Sequence, residues 1–490
     1  MKPRKNSGRP QATARNESEA EAAKALPPDF QIRTNDWFAL AFGLLLGLAL
    51  VKFGNPIILD AKIPPPSSPH DFWTDAWPPT WSIWFLAPLA VVAVWIAIQD
   101  RSRRSVPLLL WVLPSVWFGW QLISAARTED HGLTAMTLLH FAGCVVCYFI
   151  GILVIRSRQG LRWLLVGLLA GFVLCLIRAV AQHYEFPREL ENLREGERAG
   201  WTNFAANVVL QMKTDGVIIH TNGADIANPI FLAKYAKGRV MGTLVYPNAL
   251  AGAVLLLWPV SLMLALKSTR RFRAATRFGV IALALFMGAA ALFWSGSKFG
   301  WLIAIALAGV WLLRFSPPTR WKWILLAAVA VVGLTVFTIR FHGYFESGAK
   351  SAGARFDYWR AAMQVVAERP LSGSGPGTFQ RPYSRLKTPE AEMARLAHND
   401  YLEQFSDSGI IGGIAYTAWI ALALTIAGRR LWRSDGKMTF AIFLGLLGWF
   451  VQGFGEFSLY IPALAWTAFA LLGWLVVESA NQIDKPATAR

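Results

Sequence analysis

A histidine stands in Ala397-His398-Asn399-Asp400-Tyr401-Leu402-Glu403, directly ahead of Gly409-Ile410-Ile411-Gly412-Gly413 and the apolar segment that follows. An imidazole titrates near neutral pH, so a histidine parked where a polar loop meets a membrane can move protons in a reaction. Three other segments bring cations and turn residues to comparable places. The first runs from Gly238-Arg239-Val240-Met241-Gly242-Thr243 through Tyr246-Pro247-Asn248. The second is Trp294-Ser295-Gly296-Ser297-Lys298-Phe299-Gly300. The third is Ala354-Arg355-Phe356-Asp357-Tyr358-Trp359-Arg360, continuing to Arg369-Pro370-Leu371-Ser372-Gly373-Ser374-Gly375-Pro376-Gly377. This combination points to chemistry at a membrane face rather than passage through the membrane.

The elements that must position these residues are helices in a bilayer. Of 490 residues, 54% are hydrophobic and 23 are Trp, more apolar surface than a soluble domain tolerates. An apolar run of about 20 residues spans a bilayer as a helix, because every backbone group must be satisfied internally. Twelve runs qualify, at about 37–54, 80–98, 106–124, 132–155, 163–183, 243–266, 278–294, 299–313, 323–341, 409–427, 438–455 and 460–478. The expected fold class is therefore all-α: a polytopic integral membrane protein of about twelve transmembrane helices, with two long outer-face loops containing helices.

Basic residues in short loops set the orientation. Arg101/Arg103/Arg104, Arg156/Arg158/Arg162, Lys267/Arg270/Arg271/Arg273/Arg277, Arg314/Arg320/Lys322 and Arg429/Arg430/Arg433/Lys437 all fall between alternate pairs of spans, which makes those loops cytoplasmic. The chain then divides into a cytoplasmic tail at 1–35, helices over 36–183, a first long loop at 184–241, helices over 242–341, a second long loop at 342–408, helices over 409–479 and a tail at 480–490. Both long loops are expected on the periplasmic side. Residues 1–33 are polar, without an apolar face, and are expected to be disordered. No apolar signal core precedes the first span, which is expected to serve as its own insertion signal. The net charge of +18 lies largely in topology-setting loops, so nucleic acid is not expected as a partner. Cys144, Cys147 and Cys175 all lie inside spans and read as packing residues despite the CxxC spacing of the first two.

The two long loops hold most of the polar chemistry. Residues 188–214 are expected to form a helix, Ala354–Ala367 an amphipathic helix with Phe356, Trp359, Met363 and Val366 on its apolar face, and Pro389–Phe405 another helical stretch. Within the spans, Arg178, Lys298 and Glu456 are the main ionisable groups, all near outer ends. A carrier usually keeps charge or broken helices near the midplane. Charge gathered on one face favours an interfacial enzyme, with a transporter or flippase of a lipid-linked or polar substrate as the alternative.

In this order and on these span ends, the four segments resemble the O-antigen ligase and polymerase superfamily. Its pattern is an Arg followed by Gly-Thr-x-x-x-Pro-Asn, a Ser-x-Ser-Arg-like turn, an Arg-x-x-x-Trp helix, a Pro-Leu-x-Gly-x-Gly turn and a His-Asn-x-x-Leu helix before a Gly-rich span; the resemblance covers about 235–425. It implies a metal-independent glycosyltransferase of the bacterial inner membrane, active on the periplasmic face. Such an enzyme moves a glycan from an undecaprenyl-diphosphate carrier to an acceptor hydroxyl on a glycan, a lipid A-core or a protein, among membrane lipids and with no cofactor. The leaving lipid diphosphate must be held as the sugar–oxygen bond breaks, and arginine does this through paired contacts to phosphate oxygens.

By that resemblance Arg239 and Arg355 are the first diphosphate candidates, Lys298 and Arg360 the weaker ones, and His398 the base. Lys298 departs from the family's arginine, keeping the charge but not the planar fork. Arg360, one turn beyond Arg355, can instead pair with Asp357. Gly373-x-Gly375-x-Gly377 lacks the lysine and the strand–helix context of a nucleotide loop and reads as an orienting turn. Pro247-Asn248 is expected to break or start the sixth span, and Gly409, Gly412 and Gly413 to allow close helix approach. His398, Asp400, Glu403 and Asp407 read as a solvated helix start rather than a metal site, since His70, His131, His140, His183, His220 and His342 are scattered.

Overall fold

Inside a bilayer, backbone groups find partners only within their own helix, and the apolar runs fold accordingly. The computed structural model describes residues 34–99, 106–155, 157–221, 223–315, 320–346 and 350–481. The disordered tail expected at 1–33 and the terminal residues from 482 lie outside the described residues, as do Arg101, Arg103, Arg104 and Arg156 of the charge argument.

In chain order the helices are α1 (Thr34–Lys52), α2 (Pro69–Thr74), α3 (Trp81–Gln99), α4 (Leu109–Ala125), α5 (His131–Leu153), α6 (Arg158–Arg198) and α7 (Ala206–Thr214). A small antiparallel ribbon, β1 (Ile218–Thr221) and β2 (Ala224–Ala227), pairs Ile218 with Ala227. Then follow α8 (Pro229–Lys237), α9 (Pro247–Ser268), α10 (Ala274–Ser295), α11 (Lys298–Phe315), α12 (Arg320–Glu346), α13 (Lys350–Glu368), α14 (Gln380–Leu386), α15 (Asp400–Trp432), α16 (Lys437–Gln452) and α17 (Pro462–Asn481). Among the described residues, ten helices are long and apolar enough to cross a membrane, and the shorter apolar helices α4 and α16 occupy the two remaining runs. The protein is an all-α polytopic membrane protein.

Small residues set the helix crossings, as expected where lipid supplies no hydrophobic drive between helices. On α1, Gly43 and Gly47 face Gly167 and Gly171 of α6: a Cβ on Gly171 would lie 2.1 Å from the Gly47 carbonyl oxygen, and one on Gly47 would lie 2.4 Å from that of Gly167. The innermost helix, α17, packs along α5, with α9 on α16 and α15 on α4. By contrast α11 and α12 form a hairpin at the periphery, with α12 almost entirely exposed.

Several expected loop elements differ from those observed. Residues 188–214 are not one helix: the fifth span runs on through Arg198 as α6, and the break comes at Gly200 and Trp201, both at positive φ. Trp201 closes a small core with Leu193, Ile218 and Ala227, which requires the chain to turn back there. On α13 the buried stripe is Tyr358, Ala361, Ala362 and Val365, whereas Phe356 and Met363 point outward. Of the expected apolar face, Trp359 packs half-buried against the Tyr358 cluster and Val366 is half-buried, so the packed face is turned part of a step from the expected one. Pro389–Phe405 is helical only from Asp400, because His398 adopts φ +52° and Asn399 caps the new helix through the N–H groups of Tyr401 and Leu402.

That helix, α15, is itself broken: Ser408 and Gly409 (φ +68°) leave helical geometry. The Gly-rich turn repairs the break. Ser374 N–H donates to the Ser406 carbonyl and Gly375 N–H to that of Asp407, both at 2.9 Å, while Ile410 N–H reaches the Pro370 carbonyl at 2.7 Å. Gly373, Gly375 and Gly377 all have positive φ, as a turn wrapped this closely requires.

Candidate active site

Arg239 follows Gly238, which ends α8 in the left-handed conformation. The segment after it is tied down on both sides. Gln182 of α6 accepts from Met241 N–H and Gly242 N–H and donates to the Gly242 carbonyl, and Thr243 Oγ1 donates to the Leu50 carbonyl. Pro247 then opens α9 at its first position, where a missing N–H costs nothing. Held this way, Arg239 donates through Nε to the Ser295 carbonyl at 2.7 Å and through Nη2 to Asn248 Oδ1 at 2.8 Å. Burial pushes the Arg239 guanidinium down from its ordinary value, against the opposing pull of Glu456. Arginine's high reference value keeps it charged.

Ser295-Gly296-Ser297 makes the tight turn between α10 and α11. Gly296 sits at φ +60°, and a Cβ there would meet Arg239 Nε at 3.1 Å. Lys298 starts α11, with its ammonium 5.2 Å from the centre of the Phe341 ring. From α13, Arg355 donates through Nη2 to Glu456 Oε1 at 2.7 Å and through Nε to the Gly455 carbonyl at 3.1 Å.

These side chains meet at one cavity of about 450 Å³ on the face that carries the long loops. Arg239, Lys298, Arg355 and His398 all line it, together with Asn248, Glu456 and Tyr358. Arg360 does not: it is exposed and lies 3.6 Å from Asp357, the local pairing its spacing allows. His398 lies between Tyr358, whose ring is 5.7 Å away, and Phe457, edge-on at 4.7 Å. Burial pushes the Tyr358 phenol up.

Glu456, read from the sequence only as a charge near a span end, is the hub of the cavity. It is 1% exposed and takes Arg355 and Asn248 Nδ2 on Oε1, each at 2.7 Å, and Tyr246 on Oε2 at 3.2 Å. The available signal was a lone carboxylate in Phe454-Gly455-Glu456-Phe457, between two apolar runs. Asn248, read only as a helix start, links Arg239 to Glu456.

The solvated acidic face expected at the start of α15 is a buried one. Asp400, Glu403 and Asp407 are 2%, 0% and 0% exposed. Asp400 accepts from Leu459 N–H, Glu403 from Ala397 N–H, and Asp407 from Tyr460 and Gly377 N–H. They brace the histidine segment against the α16–α17 turn and the Gly-rich loop. Among the described residues, no three His, Cys, Asp or Glu side chains are arranged to hold a metal ion.

Fold and cavity together define a class: an all-α polytopic membrane protein with a cation-lined cavity where its loops gather. The family model described as O-Antigen ligase matches residues 281–417, so this region is similar to that family. Lys298, Arg355 and His398 fall inside the match; Arg239 and Glu456 lie outside it and join the cavity through the fold. A Haemophilus influenzae protein described as uncharacterized is 28% identical over 165 residues, covering 29% of this chain and 41% of that protein. The chain thus matches less than half of that relative's length.

Proposed function

We propose that this chain is a membrane glycosyltransferase of O-antigen ligase or polymerase type. It transfers a glycan from an undecaprenyl-diphosphate carrier to an acceptor hydroxyl at the periplasmic face of the bacterial inner membrane. The observation that carries this reading is the convergence of Arg239, Lys298, Arg355 and His398, from four separate segments, on one cavity. Three cations offset the charge that develops on a leaving diphosphate, and fixed donors stabilise such charge without reorganisation. His398 accepts the acceptor's proton. The family match over 281–417 supports a glycan-transfer role for the same region. With cationic side chains at the leaving group, the reaction needs no metal.

The test is reconstitution of the full chain in proteoliposomes with an undecaprenyl-diphosphate glycan and three acceptors: lipid A-core, a second lipid-linked glycan and a protein. Transfer to one of them, undiminished in chelator, is the expected result. Loss in chelator with recovery in Mg²⁺ or Mn²⁺ would overturn the metal-free mechanism. Movement of the donor across the bilayer without transfer would favour the flippase alternative.

A further inference from the structure

Glu456 stands between two of the proposed functional groups. Its Oε1 is occupied by Arg355 and Asn248, while Oε2 accepts from the Tyr246 hydroxyl at 3.2 Å and also faces the histidine: His398 Nδ1 is 3.8 Å away, short of a hydrogen bond. Nδ1 is buried and has no hydrogen-bond partner, although the ring lines the cavity with 29% of the side chain exposed. The exposed part of the ring is therefore not its Nδ1 edge. His398 is also hard to move: its backbone is at φ +52°, a conformation that persists in a non-glycine residue only where the surroundings enforce it, and two aromatic rings flank the imidazole.

We propose that Glu456 is the positioning carboxylate of His398, shared with Arg355, and that drawing Arg355 onto an anionic substrate strengthens the Glu456–His398 pairing. The substrate half of this rests on the cavity being a diphosphate site. A diphosphate competes for the Arg355 guanidinium because it offers more charge and more acceptor oxygens than one carboxylate. The same negative charge repels Glu456. A displacement of about 1 Å brings Oε2 within hydrogen-bonding distance of Nδ1. With its proton fixed on Nδ1, the ring presents the Nε2 lone pair to the acceptor, and the carboxylate stabilises the imidazolium that forms. The acceptor oxygen then bonds to the sugar C1 as the C1–O bond to phosphate breaks, its electron pair staying on the diphosphate. The hydroxyl proton passes to Nε2 and afterwards to the departing diphosphate, which restores the neutral ring. Substrate binding in this way activates the base.

The charged or titratable groups that line the cavity with His398 are Glu456 from the turn before α17, Arg355 and Tyr358 from α13, Glu392 from the loop after α14, Lys298 from α11 and Arg239 ahead of α9; behind them Tyr246 holds Glu456 Oε2, and buried Asp400 opens α15 two residues on. The test must isolate Glu456 from all of these. Diethyl pyrocarbonate modifies only unprotonated imidazole, and mass spectrometry of the His398 peptide reads its midpoint in the full chain in nanodiscs. Glu456→Gln, which keeps the shape of the side chain, should lower that midpoint, because the carboxylate favours the protonated ring. Arg355→Gln should raise it, and by several-fold more with Glu456 present than in the Glu456→Gln background.

In the transfer assay, Glu456→Gln should lower kcat about tenfold or more. Added to His398→Asn, it should cost almost nothing further, because residues acting as a unit are not additive. Equal His398 midpoints in the parent and in Glu456→Gln, or multiplicative losses in the double variant, would overturn the proposal. The midpoint shifts without transfer from any donor would uphold the Glu456–His398 coupling and sink the glycosyltransferase reading instead.

Discussion

Arg355 reaches Glu456 across 101 positions of the chain, donating to its carboxylate at 2.7 Å. Glu456 is buried at the turn before α17, so the ion pair ties the second long loop to the innermost helix of the bundle. Through Asn248 the same carboxylate is coupled to Arg239. One anion thus holds Arg355 directly and Arg239 through Asn248.

Arg239→Ala and Arg355→Ala are each expected to lower glycan transfer by about 10²–10³-fold, the usual cost of removing one donor to developing charge. Lysine at either position should recover only part of this, since each arginine uses Nε and Nη2 on different acceptors. Initial rates with a lipid-linked donor provide the measurement. Full activity in Arg239→Ala would remove that residue from the mechanism.

His398→Asn should lower the rate by about 10²–10⁴-fold, the typical contribution of general acid–base catalysis. Asparagine is the informative replacement because it tolerates the left-handed backbone that His398 adopts. Expression and carrier binding, followed by a tritiated carrier, should stay near the parent level. Undiminished turnover would leave this histidine a packing residue.

Gly409→Ala should impair folding by about 1–3 kcal/mol or more through its strained backbone alone. The residue sits at φ +68°, and the new Cβ would lie 2.4 Å from the Pro370 carbonyl oxygen. The Gly-rich turn would lose its seat on α15. A fall in monodisperse yield on size-exclusion chromatography is the readout, and an unchanged yield would show that the break in α15 is dispensable.

Asp130 caps α5 at Leu133 N–H and pairs with Arg381 at 2.6 Å, and these contacts hold its carboxyl below the ordinary value. A depressed carboxylate contributes stability above its unfolded value, and that contribution is lost as pH falls through the folded one. Asp130→Asn keeps the cap and removes the charge, so it should destabilise by about 1 kcal/mol or less, the pair being half exposed on the arginine side. The difference from the parent melting temperature should hold steady down to roughly pH 5, begin to shrink near the unfolded value of about 4 and vanish only below the depressed folded one. A difference that grows with acidification would contradict this.

Both long loops are expected outside the cell membrane and both termini inside. In a cysteine-free variant, Ser351→Cys should react with an impermeant maleimide on intact spheroplasts, and Ser268→Cys only after permeabilisation. The reverse pattern would invert the topology.

The membrane class, the helical runs and the four cation- or histidine-bearing segments were legible in the sequence because each depends on local rules. Apolar length forces a helix, and Gly-Pro-Asn chemistry marks where it starts. Arg239, Lys298, Arg355 and His398 stood out through the family resemblance of their segments, and Arg360 carried the signal of its local pairing with Asp357. What tertiary structure decided is everything that depends on who faces whom. A short run cannot tell which side of α13 packs, so Phe356 and Met363 face outward while Tyr358 and Val365 are buried. Nor can composition show that Asp400, Glu403 and Asp407 are buried, since a carboxylate tolerates burial only where distant Leu459, Ala397, Tyr460 and Gly377 supply its donors. Glu456 is the clearest case: one carboxylate between apolar runs has no motif, and its place at the hub exists only because α9, α13 and the α16–α17 turn converge on it.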